Sequence, residues 1–359
     1  MNYMKKQNKS LLDAVFAEAA VLKRQINIME VCGTHTMAIS RHGLRRILPC
    51  KINLISGPGC PVCVTPIDEI DKAIELAKIQ NVIIATFGDM MRVPGTKSTL
   101  SKQKSVGRDI RIVYSAFDAL ALAKKNMDKN VVLLGIGFET TSPTIALTIV
   151  EAAKRKTKNF FVLPEFKVVI PPMEALLSDK DIRLDGFLAP GHVSAIIGAK
   201  PYKYITDKYK VPCVISGFEA EDVLQSIMMI IRQFNHNEGK VEIQYKRVVT
   251  YKGNLRAQQI MKKVYKTVDS NWRGIGIIHD SGLALSEKYR DFDATKKFNL
   301  KTPKYSKEPL GCRCGDVLKG YMTPKQCPLF SKKCTPASPV GACMVSSEGT
   351  CAAYYKYDI

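Results

Sequence analysis

The sequence predicts an α/β protein made of two or three compact units, with a cysteine-rich segment at its C-terminal end. Three observations carry that expectation. Short apolar runs alternate with helical stretches through the first two thirds of the chain, the order that parallel sheets require. The 359 residues, 46% of them hydrophobic, exceed what a single core usually organises. After Glu308 the composition shifts, and the last 48 residues hold six of the 11 cysteines.

Taken in order, Ser10 and Asp13 read as a capping box before LLDAVFAEAAVLKR, a first helix that leads into the apolar run Ile26 to Val31. That run is expected to be a buried strand ending at Cys32. INLIS (52–56), VIIATF (82–87), VVLLGIGF (131–138), FKVVI (166–170), GFLAP (186–190) and PCVIS (212–216) repeat the theme. These strands end in loops rich in Gly, Pro and Thr: SGPGCPVCVTP, TFGDMMRVPG, GFETTSPT, APGHVS and SGFEAED. In open α/β sheets ligands bind outside the carboxyl ends of strands, so the loops form one candidate site, with Asp89, Arg92, Glu139, Thr140, Thr141, His192 and Glu219 available to line it. From about Lys240 further strand and helix segments follow, then the polar connector KFNLKTPKYSKEP.

Net charge is +21, yet the lysines are scattered and there is one Trp, so solvated helix faces account for the charge better than nucleic acid does. An acidic protein partner is the next reading. The best membrane candidate, Val131 to Ala153, carries Glu139 in its middle, so no membrane span is expected. The first 20 residues have an amphipathic pattern and no signal-type apolar core, which predicts a cytoplasmic protein. GIGFET lacks the third glycine of a dinucleotide fingerprint and no GxxxxGK[ST] occurs, so no nucleotide is expected.

In a reducing compartment, closely spaced cysteines read as metal ligands or redox groups. Cys312, Cys327, Cys334 and Cys351 stand in the pattern C-x14-C-x6-C-x16-C, with Cys314 and Cys343 as extras. The prolines after Cys327 and Cys334 resemble the setting of iron–sulfur ligands. Four-cysteine zinc is the alternative, although zinc sites usually show paired CxxC knuckles. Upstream, Cys32 opens CGTH, where Gly33 and His35 favour a reactive thiolate over a small buried hydrophobe. Cys60 and Cys63 form a CxxC just before Thr65, Pro66 and Asp68, which look like the capped start of a helix; its positive end would favour a Cys63 thiolate. The pair can cycle between dithiol and disulfide or supply half of a zinc site. Cys50 and Cys213 read as buried structural cysteines.

The chain resembles the HypD family of hydrogenase maturation factors. The resemblance runs in order through EVCGTHTMAISRHGLRRILP, SGPGCPVCVTP, TFGDMMRVPG, GFETTSPT, APGHVSAIIG, PCVISGFE, GCRCGDVLKG and PVGACMVSSEGTCAAYY, covering nearly the whole chain. It implies two parallel-sheet α/β domains facing a cleft, plus a smaller C-terminal domain holding a [4Fe-4S] cluster on Cys312, Cys327, Cys334 and Cys351. The boundaries it suggests are 1–35 (helix and strand packed with the C-terminal domain), 36–140, 141–240 and 241–359. Proteins of this family build the Fe(CN)2CO group of nickel–iron hydrogenases. The resemblance therefore implies partners like the small chaperone HypC and the cyanide donor HypE, iron held at Cys32, a redox relay at Cys60 and Cys63, and His35 and His192 in the cleft. This would be a redox-active scaffold more than a simple turnover enzyme. A self-contained iron–sulfur oxidoreductase acting at the CxxC on a small substrate is the rival reading. A structural zinc protein with a basic docking surface is a third.

Overall fold

The computed structural model describes residues 2–358. Its strands are β1 (Ile26–Glu30), β2 (Ile52–Ser56), β3 (Val82–Thr86), β4 (Ile110–Ile112), β5 (Asn130–Gly137), β6 (Phe160–Lys167), β7 (Gly186–Pro190), β8 (Cys213–Ser216), β9 (Val241–Ile243), β10 (Tyr265–Trp272) and β11 (Gly276–Leu285). They form two sheets. One has the order β2-β1-β7-β8-β9 and is parallel throughout. The other has the order β10-β11-β6-β5-β3-β4, parallel from β6 to β4 and closed by an antiparallel hairpin. The α/β expectation holds, with that hairpin added.

The boundaries expected at residues 35 and 140 do not follow the sheets. The chain lays β1 and β2 in the first sheet, β3 to β6 in the second, β7 to β9 back in the first, and the hairpin in the second. Residues 36–140 therefore supply both sheets, and so do residues 141–240. Alternating apolar runs identify strands, but they carry no information on which sheet each strand joins. Nor does the N-terminal segment pack mainly on the C-terminal region. Strand β1 lies between β2 and β7, and the first helix packs on Ala220–Asn235, with Val15, Ala19, Ile227 and Ile231 sharing one core.

That first helix spans Asn2–Ala20, so Ser10 lies inside it and caps nothing. The polar stretch before Ser10 is built of good helix formers, which extend the helix toward the N-terminus. FKVVI also shifts. Strand β6 ends at Lys167, and Ile170 begins the helix Ile170–Ser178, with prolines in its first turn. Pro164 is tolerated in β6 because β11 pairs only with Phe166 and Lys167, leaving one ladder neighbour at the proline. No helix among the described residues is long and apolar enough to cross a membrane.

Each sheet has a point where the order of its parallel strands reverses. In the first it falls between β1 and β7; in the second it falls between β3 and β5. Loops diverge at such a point and leave a crevice.

Candidate functional site

One cavity of about 260 Å³ takes its walls from both crevices. Cys32 and Thr34 follow β1, Gly59 and Pro61 follow β2, Phe138, Thr140 and Thr141 follow β5, Val169 follows β6, and His192 follows β7. Glu348 arrives from the C-terminal segment and accepts a hydrogen bond from the Thr34 hydroxyl at 2.7 Å. Of the five loops expected to share a site, SGPGCPVCVTP, GFETTSPT and APGHVS do so, TFGDMMRVPG and SGFEAED do not line this cavity, and Glu348 of the C-terminal segment joins it.

Cys32 is the N-cap of the helix Gly33–Arg41 and is 8% exposed. Burial pushes its thiol up to about 11, against backbone N–H bonds from His35 and Thr34 that favour the thiolate. The free chain thus holds a neutral thiol here, not the thiolate expected from CGTH. A metal ion arriving at the sulfur would displace the proton.

His35 lies behind the cavity wall. It is fully buried, its Nε2 is 2.9 Å from the Gly217 carbonyl, and its Nδ1 has no partner. Burial lowers its pKa to about 4, so the ring is neutral. Phe218 stands between the two histidines, stacked 4.7 Å from His35 and 4.0 Å from His192. Only His192 reaches the cavity.

Cys60 and Cys63 lie on the loop after β2, whose Gly59 and Pro61 line the same cavity as Cys32. Cys60 is the N-cap of the short helix Pro61–Val64, and Cys63 lies inside it. The helix start expected at Thr65 falls one residue later, with Pro66 at the cap of Ile67–Lys78; Thr65 instead donates to the Pro61 carbonyl. Contacts with the Cys343 and Cys60 thiols, together with burial, raise the Cys63 pKa well above its ordinary value, so no helix-stabilised thiolate forms there.

Cys343 had no assignment from spacing. The structure puts its sulfur among those of Cys63, Cys314 and Cys351, whose hydrogen bonds hold it well below the ordinary thiol value. It thereby joins the CxxC to the C-terminal cysteines. Cys312, Cys314, Cys327, Cys334 and Cys351 line one small apolar pocket with Leu329, Phe330 and Met344. Cys213 is buried as expected, whereas Cys50 is exposed.

An iron–sulfur cluster fits this donor set. Apart from Arg313, whose exposed guanidinium pairs with Asp316, the pocket is lined by thiols and apolar side chains, and the Val340 N–H points at the Cys334 sulfur at 3.3 Å. A Cβ on Gly341 would stand 2.5 Å from the Cys314 sulfur and 2.6 Å from that of Cys312, so glycine keeps the cradle open.

The remaining crevice candidates divide by role. Asp89 accepts from Ser346, and Arg92 donates to the carbonyls of Pro336 and Val345, so both brace the cysteine-rich segment. Glu219 caps Ala220–Asn235. Glu139 lies beneath the cavity wall: one carboxylate oxygen accepts from the Val169 N–H at 3.0 Å and the other has no partner.

Burial raises the Glu139 pKa from about 4.5 to about 7. Across that window the folded chain binds more protons than the unfolded one, so stability falls as pH rises, by up to about 1.4 kcal/mol per unit. Glu139→Gln should flatten that slope. Urea unfolding at several pH values between 5 and 8 checks it, and parallel curves for the two proteins would refute it.

Comparison with known proteins agrees along the whole chain. A family model described as "HypD: Hydrogenase formation hypA family" matches residues 6–358. The hydrogenase maturation factor HypD of Escherichia coli (strain K12) is 47% identical over 336 residues, covering 93% of this chain and 90% of that protein. Its namesake in Rhodobacter capsulatus is 46% identical over 342 residues, 94% and 91% of the two chains. That of Azotobacter vinelandii is 43% identical over 353 residues, 96% and 93%.

Proposed function

The chain belongs to the HypD family of hydrogenase maturation factors, and from that premise we propose that it is a cytoplasmic, redox-active scaffold on which the Fe(CN)2CO group of nickel–iron hydrogenases is assembled. The observation that carries this reading is the placement of Cys32. Its sulfur faces a cavity walled by both sheets, receives two backbone N–H groups, and has His192 and Glu348 on the same walls.

In this reading iron enters as cargo and is held by the Cys32 thiolate, a soft ligand suited to iron with strong-field partners. A HypC-like chaperone supplies a second cysteine, and a HypE-like protein delivers the cyanide groups. Cys312, Cys327, Cys334 and Cys351, with Cys314 beside them, would hold a [4Fe-4S] cluster, which when bound supplies one-electron transfer. The chain's own redox step belongs to Cys60 and Cys63. Oxidising the two thiols to one disulfide releases two electrons and two protons, and reducing it takes both back. Thr34 holds the Glu348 carboxylate at the cavity, and Phe218 fixes the His192 ring.

The test is an infrared spectrum of the protein purified anaerobically with its HypC-like partner, beside the same preparation of Cys32→Ala. Cyanide and carbonyl stretches are expected in the first and not in the second. Their absence from both, with the partner bound and both samples brown, would favour the self-contained oxidoreductase.

A further inference from the structure

A second concave surface lies at the opposite end of β6 from the cavity. Val169, just beyond the end of β6, lines the cavity, whereas Phe160 and Phe161 at its start floor a groove of about 860 Å³. An eight-residue strand separates the two by about 26 Å.

Five cations rim the groove: Lys156, Lys158, Arg290, Lys296 and Lys297. All are exposed. Arg290 is paired with Glu287, and Lys296 is 3.9 Å from the same carboxylate. Lys156, Lys158 and Lys297 make no ion pair among the described residues, and the Lys297 ammonium stands 5.6 Å from the Phe161 ring centre. Between them the partly exposed Ala153, Thr157 and Phe292 lie over the buried Phe160 and Phe161, and one anion, Asp291, shares the rim 3.8 Å from Arg290.

We propose that this groove docks an acidic peptide segment of a partner protein, with apolar side chains set between its carboxylates. Charge complementarity names the sign of the occupant, and the groove's form names its class. A compact phosphate would need converging N–H groups, but the helix that ends here, Ser142–Lys154, presents its C-terminal end, the negative pole. A single-stranded nucleic acid would need aromatic faces for its bases, and Phe160 and Phe161 are 0% and 3% exposed. An extended peptide needs neither: its carboxylates meet the rim while its apolar side chains cover the floor. A partner held here leaves the cavity around Cys32 free. The inference does not depend on the iron chemistry proposed above.

The probe is a fluorescein-labelled dodecapeptide of alternating glutamate and leucine or phenylalanine, followed by anisotropy against the full-length protein. Saturable binding is expected, weakening as ionic strength rises. Lys156→Glu/Lys158→Glu/Lys297→Glu should weaken it by about tenfold or more, as reversal of three rim charges implies. Lys23→Glu/Lys102→Glu/Lys104→Glu changes net charge equally at exposed sites elsewhere and should retain binding. Circular dichroism checks that both variants fold. Equal losses in the two variants, no loss in the first, or equally tight binding of a lysine-for-glutamate peptide or a twelve-nucleotide thymidine strand would each overturn the proposal.

Discussion

Cys60→Ser is expected to yield a protein that folds, is brown, and matures no hydrogenase. Serine nearly matches cysteine in size and can keep the N-cap position at the start of Pro61–Val64, so the fold has little reason to change. The colour would come from a cluster on the C-terminal thiols, and Cys60 does not line their pocket. What the substitution removes is the capacity to make a sulfur–sulfur bond with Cys63. The position matters because Cys63 leans on Cys343, while a Cβ on Gly33, the residue after Cys32, would stand 3.2 Å from the Cys60 Cβ. The pair thus lies between the C-terminal thiols and the cavity. Maturation should fall by about a hundredfold or more, because the thiol left beside Cys63, that of Cys343, belongs to the C-terminal segment and not to the loop that meets Cys32. Complementation of cells lacking their own factor, scored by hydrogenase activity alongside visible absorbance of the purified protein, gives both readouts. Cys334→Ser should instead lose the colour, and Cys50→Ser, at an exposed cysteine, should change neither. Full maturation by Cys60→Ser would end the case for a redox pair.

Parts of this arrangement were legible before any coordinates. The apolar run of β1 stops at Cys32, and a strand that stops in an α/β chain points its next residue at the crevice. CxxC and the spaced C-terminal cysteines announce themselves by spacing. Cys343 does not: it stands as an extra beside the four spaced cysteines, because its sulfur partners, Cys63, Cys314 and Cys351, come from three separate segments. Glu348 was hidden for the same reason, its Thr34 partner being 314 positions away. His35 illustrates a different failure. The resemblance implies a cleft position for it, but its ring packs behind the cavity wall, stacked on Phe218 with Nε2 at the Gly217 carbonyl, where no local pattern would put it. The thiolate expected at Cys32 fails on burial, and that at Cys63 fails first on contact with the Cys343 and Cys60 thiols and then on burial, since a short helix end offsets little of the cost of taking a charge out of water. Membership of the two sheets was beyond reach, because strand periodicity is local and pairing is not.

The contact that brings CxxC to Cys32 is backbone against backbone, and the second large effect follows from it. Strands β1 and β2 are neighbours in register from Ile26 with Ile52 to Glu30 with Ser56, so the loops that leave them travel together. Gly33 donates to the Gly59 carbonyl at 3.3 Å. A Cβ on Gly59 would stand 2.1 Å from the Cys32 nitrogen and 2.3 Å from its Cα. No side-chain rotation relieves a clash with main chain, so Gly59→Ala must push the two loops apart. The expected cost is about 1–3 kcal/mol or more of stability, with maturation lost because Cys60 and Cys32 no longer meet. Cys32, now 8% exposed, should become open to alkylation by iodoacetamide, a readout that simple destabilisation at a distant site would not give. Gly88→Ala provides the contrast: it follows β3 in a loop of similar composition, and a Cβ there meets nothing within 4 Å. It should melt, alkylate and mature hydrogenase as the parent does. If Gly59→Ala did the same, close approach of the two loops could not be what holds Cys32 and the CxxC in one site.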